Sequence, residues 1–130
     1  MALSGRSILS RAILTNLRSP PTQTQPCGVD LSLSSISSFA SAGILDFSNT
    51  LRRTSSTEKL PSQLDAHARH WDLPQGCYLV EFNENVKVPL DCVGFVYPRS
   101  SAWRSGVGFV AGVVDAGYEG ALGGCLQVCP

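Results

Sequence analysis

Apolar and polar positions change their period partway along the chain. Near the start, Ile8, Leu9, Ala12, Ile13 and Leu17 recur close to helical spacing. Ser4 stands where a cap would, and Pro20-Pro21 where a helix would stop, so a helix is predicted within residues 1–20. Residues 31–57 then hold nine serines. They predict a short strand near Val29–Leu33 and a variable Ser-rich loop region over 31–70. From Trp71 the period shortens to two. Leu73-Pro74-Gln75-Gly76 is a turn signal, and Tyr78, Val80 and Phe82 share one face of a strand over Cys77–Phe82. Asn83-Glu84-Asn85 reads as a turn and Val86–Val88 as a second short strand. Cys92–Tyr97, Val107–Val114 and Leu122–Val128 follow as apolar runs of strand length, the last broken by Gly123-Gly124. The pattern predicts a mainly all-β barrel or sandwich, a single domain over 1–130, with one short N-terminal helix.

Composition narrows the function. With 130 residues, the chain can bury one ordinary core. Its 43% hydrophobic and 15% charged residues mark a folded rather than a disordered chain. Ten Lys+Arg balance ten Asp+Glu, which weighs against a nucleic-acid partner held by phosphate neutralisation. No apolar run approaches the ~18–20 residues of a spanning helix, so no membrane partner is expected. Cys27, Cys77, Cys92, Cys125 and Cys129 form no CxxC pair and no Cys/His ligand spacing. Neither a zinc site nor a disulfide framework is expected, and most of these cysteines read as small hydrophobes in a reducing compartment. Arg6, Arg11 and Arg18 without an acid before Asp30 also match a transit peptide, which leaves mitochondria open beside the default of cytoplasm or nucleus.

Three clusters can carry chemistry. Gly28-Val29-Asp30-Leu31 sets an acid after a glycine turn. In Pro98-Arg99-Ser100-Ser101, a planar guanidinium and two hydroxyls suit phosphate oxygens, and an ordinary surface turn would look the same. In Gly112-Val113-Val114-Asp115-Ala116-Gly117-Tyr118-Glu119-Gly120, Asp115 is either a turn-former or a general base. Tyr118 is either a core aromatic or a ring presented to a ligand.

Taken in order, Gly-x-Asp-Leu, Pro-Arg-Ser-Ser and Gly-Val-Val-Asp-x-x-Tyr-x-Gly resemble the trimeric deoxyuridine triphosphatases and the deoxycytidine triphosphate deaminases of the same superfamily. Leu3-Ser4-Gly5-Arg6-Ser7-Ile8-Leu9 resembles the opening helix of the deaminase branch. The resemblance implies a distorted jelly-roll or β-clip barrel assembled as a homotrimer, with active sites between subunits. It implies that Asp115 activates the attacking water and that Tyr118 packs on the deoxyribose. Val110, Ala111 and Gly112 would read the pyrimidine edge through their backbone. Arg99, Ser100 and Ser101 would contact the phosphates. Asp30 would support the site around a triphosphate carrying Mg²⁺. Arg104 matches the second arginine of the deaminase version.

The implied reaction is hydrolysis of dUTP to dUMP and pyrophosphate. Deamination is disfavoured, because Cys125 occupies the position where the deaminases carry a proton-shuttling glutamate, and no acid follows Glu119. The alternatives are a deaminase-type nucleotide enzyme or a non-catalytic relative. The chain stops at Pro130 before the family's fourth and fifth motifs. It therefore reads as truncated, with weak activity or none expected from this length, or as ending on a strand that another subunit covers.

Overall fold

The computed structural model describes residues 2–64 and 69–130, without the side chain of Arg69. In chain order the elements are α1 (Gly5–Ser10), β1 (Leu14–Thr15), α2 (Pro20–Gln23), β2 (Leu33–Phe39), β3 (Thr57–Lys59), β4 (Gln63–Leu64), β5 (Arg69–His70), β6 (Gly76–Lys87), α3 (Ser100–Arg104), β7 (Val107–Val110) and β8 (Glu119–Val128). Hydrogen-bonded neighbours run β3-β2-β6-β8-β7, with β1 also on β6, and β4 pairs with β5. The protein is mainly antiparallel β, as its pattern predicts. Among the described residues no helix is long and apolar enough to cross a membrane.

The chain divides into two compact units. The first comprises Met1–Ser34, Glu81–Tyr97 and Ala111–Gly124; the second comprises Ser35–Val80, Pro98–Val110 and Cys125–Pro130.

In the first unit, Ile13, Val86, Val88 and Leu122 form the buried core, with Leu3, Ile8, Phe82 and Val114 packed against it. The helix predicted over 1–20 is confined to α1. Ser4 caps it as predicted, its hydroxyl accepting from the Ser7 N–H at 3.1 Å. Ala12 then adopts φ 52° and ends the helix. Leu14 and Thr15 pair with Val86 and Asn85, and buried Ile13 accepts from the Lys87 N–H. Joining the sheet satisfies these backbone groups and buries Ile13, which one more helical turn would not do. Pro20 and Pro21 do not stop a helix but open α2, where a missing N–H costs nothing. The predicted turn Asn83–Asn85 lies inside β6. There Glu84 is completely buried. Its carboxylate accepts from the Ser32 hydroxyl (2.6 Å), the Ser32 N–H (2.9 Å) and the Gln23 amide (2.7 Å). Gln23, itself buried, also donates to the Asp30 carbonyl at 2.8 Å and accepts from the Ser19 N–H at 2.8 Å. Burial pushes the Glu84 carboxyl up, but the Ser32 and Gln23 donors outweigh it and hold it below its ordinary value.

Among the described residues of the second unit, Ile36, Tyr78, Val80 and Leu126 are the buried apolar ones. The Ser-rich segment, expected as a loop, contributes a strand and most of a hairpin. Ser37, Ser38 and Phe39 pair with Lys59, Glu58 and Thr57, and an isolated bridge joins Ile44 to Arg53. Alternating serines keep the strand period while lowering its hydropathy, which hides it from an apolar count. The short strand expected near Val29–Leu33 shifts to β2, Val29 making only a bridge to Thr24. At the hairpin tip, the Asp46 carboxylate accepts from the Ser48 hydroxyl at 2.7 Å and the Thr50 N–H at 3.1 Å. Leu45, Phe47 and Leu51 stand exposed around that turn.

Other expectations change as well. Cys92–Tyr97 is not a strand; only Gly94 bridges to Val114. The run Val107–Val114 is a strand only over β7, with Val114 making the isolated bridge to Gly94, and β8 continues through Gly123-Gly124 unbroken. Cys27, Cys77 and Cys129 are exposed rather than core residues, while Cys92 and Cys125 are half-buried.

Candidate active site

Strand β7 leaves its ladder after Val110, which opposes Cys125 on β8. The chain pairs again at Val114, whose N–H and carbonyl exchange bonds with Gly94 at 3.0 and 2.9 Å. Ala111, Gly112 and Val113 lie between these two fixed points, outside the ladder, where amides and carbonyls can serve as ligand partners. Asp115 follows in a turn closed by the Tyr118 N–H on the Asp115 carbonyl at 3.1 Å. Gly117 takes φ 81° at the third position of this turn, a conformation that favours glycine.

The turn sets the tyrosine ring. Tyr118 donates its hydroxyl to the Ala121 carbonyl at 2.8 Å, so the ring lies across Gly120. A Cβ at Gly120 would stand 2.8 Å from the phenol oxygen. Glycine is therefore required there by close approach. Glu119 opens β8 and pairs with Lys87 at 2.9 Å, both side chains exposed.

Within the first unit, Val96, Ala111–Asp115, Tyr118 and Ala121–Gly123 line a cleft of about 350 Å³. The side chains lining it are mostly small, with one carboxylate and one phenol, and its surface is about as polar as it is apolar. It thus brings together four of the expected site residues: Ala111, Gly112, Asp115 and Tyr118. Asp115 is exposed, so its carboxylate is open to solvent. Val96 and Leu122 also line the cleft and were not expected there; each reads in the sequence only as one more apolar strand position.

The remaining expected residues are not among those that line this cleft. Asp30 belongs to the first unit but does not line this cleft; its carboxylate accepts from the Gln25 amide at 2.9 Å. Arg99, Ser100, Ser101, Arg104 and Val110 belong to the second unit. Arg99 occupies the N-cap of α3, and Ser100 and Ser101 form its exposed first turn. The segment was expected as a loop, since five residues are too few to display a helical period. The Arg104 guanidinium lies 5.2 Å from the Trp103 ring centroid, a cation–π contact that holds it on its own helix.

Cys125 on β8 has the Cys77 thiol as an electrostatic neighbour. Burial, reinforced by that neighbour, pushes the Cys125 thiol above its ordinary value.

The chain matches the family described as dCTP deaminase-like over residues 2–129 and belongs to it. The deoxyuridine 5'-triphosphate nucleotidohydrolase of Methanocaldococcus jannaschii is 37% identical over 107 residues, covering 82% of this chain and 67% of that protein. A Methanosarcina mazei protein named "Probable deoxyuridine 5'-triphosphate nucleotidohydrolase" is 37% identical over 116 residues, covering 89% of this chain and 66% of that one. The chain spans about two thirds of the length of these relatives. The 2'-deoxycytidine 5'-triphosphate deaminase of Agrobacterium tumefaciens shares the fold, with TM-score 0.60 at 21% identity over 97% of this chain and 41% of that one.

Proposed function

We propose that this protein hydrolyses dUTP to dUMP and pyrophosphate. The observation that carries the reading is the cleft in which Asp115 and Tyr118 flank the unladdered backbone of Ala111–Val113. Relatives at 37% identity bear the name of that activity. Fixed amides and carbonyls can match the uracil edge and leave the exocyclic amine of cytosine without a complement. The Tyr118 ring, held by Ala121, packs on the sugar and crowds a 2′-hydroxyl. The Asp115 carboxylate orients water and takes its proton as the water attacks phosphorus. Phosphoryl chemistry asks mainly for alignment and charge neutralisation, which Arg99, Ser100 and Ser101 would supply to the phosphate oxygens. Asp30, tied to Gln25, supports the surrounding loop.

Among the described residues no three His, Cys, Asp or Glu come together as a metal cage. In this reading Mg²⁺ would enter with the triphosphate, held by its phosphate oxygens. When bound, it spreads the negative charge of the triphosphate.

The active form in this reading is a homotrimer. Supporting it, the first unit exposes Leu90, Val93, Phe95, Tyr97 and Val113, with the Phe95 and Tyr97 rings stacked at 6.2 Å between centroids. Surfaces of this kind mark association sites. If Arg99 and Asp115 act on one nucleotide from different subunits, mixing Arg99→Ala with Asp115→Asn protein restores part of the activity. Verified mixed trimers without rescue would show that the two residues act within one subunit or not together.

The direct test is pyrophosphate release from dUTP, with dCTP and UTP in parallel and ammonia assayed alongside. Pyrophosphate from dUTP without ammonia is expected. Ammonia from dCTP would move the protein to the deaminase branch, and silence from a folded trimer would leave a non-catalytic relative. Tyr118→Ala is expected to erode the preference for dUTP over UTP by about tenfold or more, read as the ratio of kcat/KM values. An unchanged ratio would remove the sugar-selecting role.

A further inference from the structure

Two thiols of the second unit stand in an arrangement the proposed hydrolysis does not use. Cys77 lies on β6 and Cys125 on β8, and the two strands are hydrogen-bonded neighbours. Tyr78 and Val80 on β6, and Leu126 on β8, are buried. By strand alternation, Cys77 and Cys125, each one residue before a buried position, project from the opposite face of their strands. The two thiols are close enough for Cys77 to raise the Cys125 thiol above its ordinary value. Neither is engaged in a disulfide.

We propose that Cys77 and Cys125 are a disulfide-forming pair, oxidised reversibly by a small-molecule disulfide of the glutathione class. Cys77 is the exposed member and meets the oxidant; Cys125 is half-buried. The Cys77 thiolate attacks one sulfur of oxidised glutathione. A mixed disulfide forms, and one glutathione leaves as thiolate and takes up the proton that Cys77 released. Cys125 then gives up its proton and attacks the Cys77 sulfur. The protein disulfide forms, and the second glutathione leaves and takes that proton. Two protein thiols are oxidised and one glutathione disulfide is reduced to two thiols.

The crosslink has a structural consequence. Cys125 opposes Val110 in the last rung before Ala111. Oxidation therefore staples β6 to β8 at the rung from which the Ala111–Val113 segment departs. The pairing itself does not rest on the nucleotide reading, and its test reads sulfur chemistry alone.

The intact chain is incubated with oxidised glutathione, free thiols are alkylated, and the unreduced protein is digested with trypsin. Cleavage after Arg69, Lys87 and Arg104 leaves Cys77 alone on peptide 70–87 and puts Cys125 with Cys129 on peptide 105–130. The expected product is a crosslink between these peptides, lighter by two hydrogens than their sum and broken by dithiothreitol. Fragmentation between Leu126 and Val128 assigns it to Cys125 in the unmutated protein, so the assignment does not depend on a variant folding. The crosslink is expected to persist in Cys129→Ser and to vanish in Cys125→Ser. Retention of glutathione on Cys77 with Cys125 alkylated, a crosslink to Cys129 or Cys92, or no oxidation of Cys77 would each overturn the pair.

Discussion

Asp115→Asn is expected to lower dUTP turnover by about 10²–10⁴-fold while nucleotide affinity stays within a few-fold of the starting protein. The substitution keeps size and turn preference, because asparagine occupies the same turn positions as aspartate. The turn is closed through the Asp115 backbone carbonyl and not through its side chain, so Tyr118 keeps its place across Gly120. What disappears is the acceptor for the proton of the attacking water. Single-turnover pyrophosphate release and equilibrium binding of dUTP, measured on the same preparation, separate the two effects. Turnover near that of the unmutated protein would remove Asp115 from the chemistry. A parallel loss of binding would instead make it a ligand for the nucleotide.

The second large effect falls on stability. Glu84→Leu leaves the Gln23 amide, the Ser32 N–H and the Ser32 hydroxyl without their acceptor in a buried position. The expected cost is about 2–4 kcal/mol, since buried donors lose their water without gaining a partner. For a chain of this size that is roughly a 10 °C fall in Tm. A drop under 2 °C would show that water reaches the site and satisfies the donors. The pH dependence has a defined sign. The folded protein holds Glu84 below its ordinary value. The unfolded chain therefore binds the proton more readily than the folded one. The resulting stability is fully present above the unfolded value of about 4.3 and is lost as pH falls through the lower folded value. Asp46 and Asp91, also held low, act in the same direction from the surface. Comparison with Glu84→Gln isolates the buried contribution: the stability difference between the two proteins should shrink with acid. A difference independent of pH from neutrality to below 4 would contradict the assignment.

Legibility in the sequence followed the range of the interactions. Tyr78, Val80 and Phe82 alternate because one face of β6 is covered, and that periodicity survives in the sequence. Ser4 caps α1 through a bond three residues away, and the Asp115–Tyr118 turn closes over the same span. The motif order around Asp30, Arg99 and Asp115 was visible as a family resemblance, which the match over residues 2–129 bears out. The meeting of Ala111, Gly112, Asp115 and Tyr118 in one cleft follows from their nearness along the chain.

The sequence by itself determined the mainly β class, the helix cap and four of the residues that line the candidate site, Ala111, Gly112, Asp115 and Tyr118. Each rests on contacts within a few residues, or on a period that local order records. Only the tertiary structure decided where α1 ends, because Ile13 is drawn into a core with Val86, Val88 and Leu122, far along the chain. Only it decided that Asn83-Glu84-Asn85 is strand and not turn, because the donors that make a buried carboxylate tolerable come from Gln23 and Ser32. It alone brought Cys77 against Cys125. In each case, desolvation and hydrogen bonding supplied by a distant segment outweigh the local preference, and a distant partner leaves no trace in the spacing of neighbours.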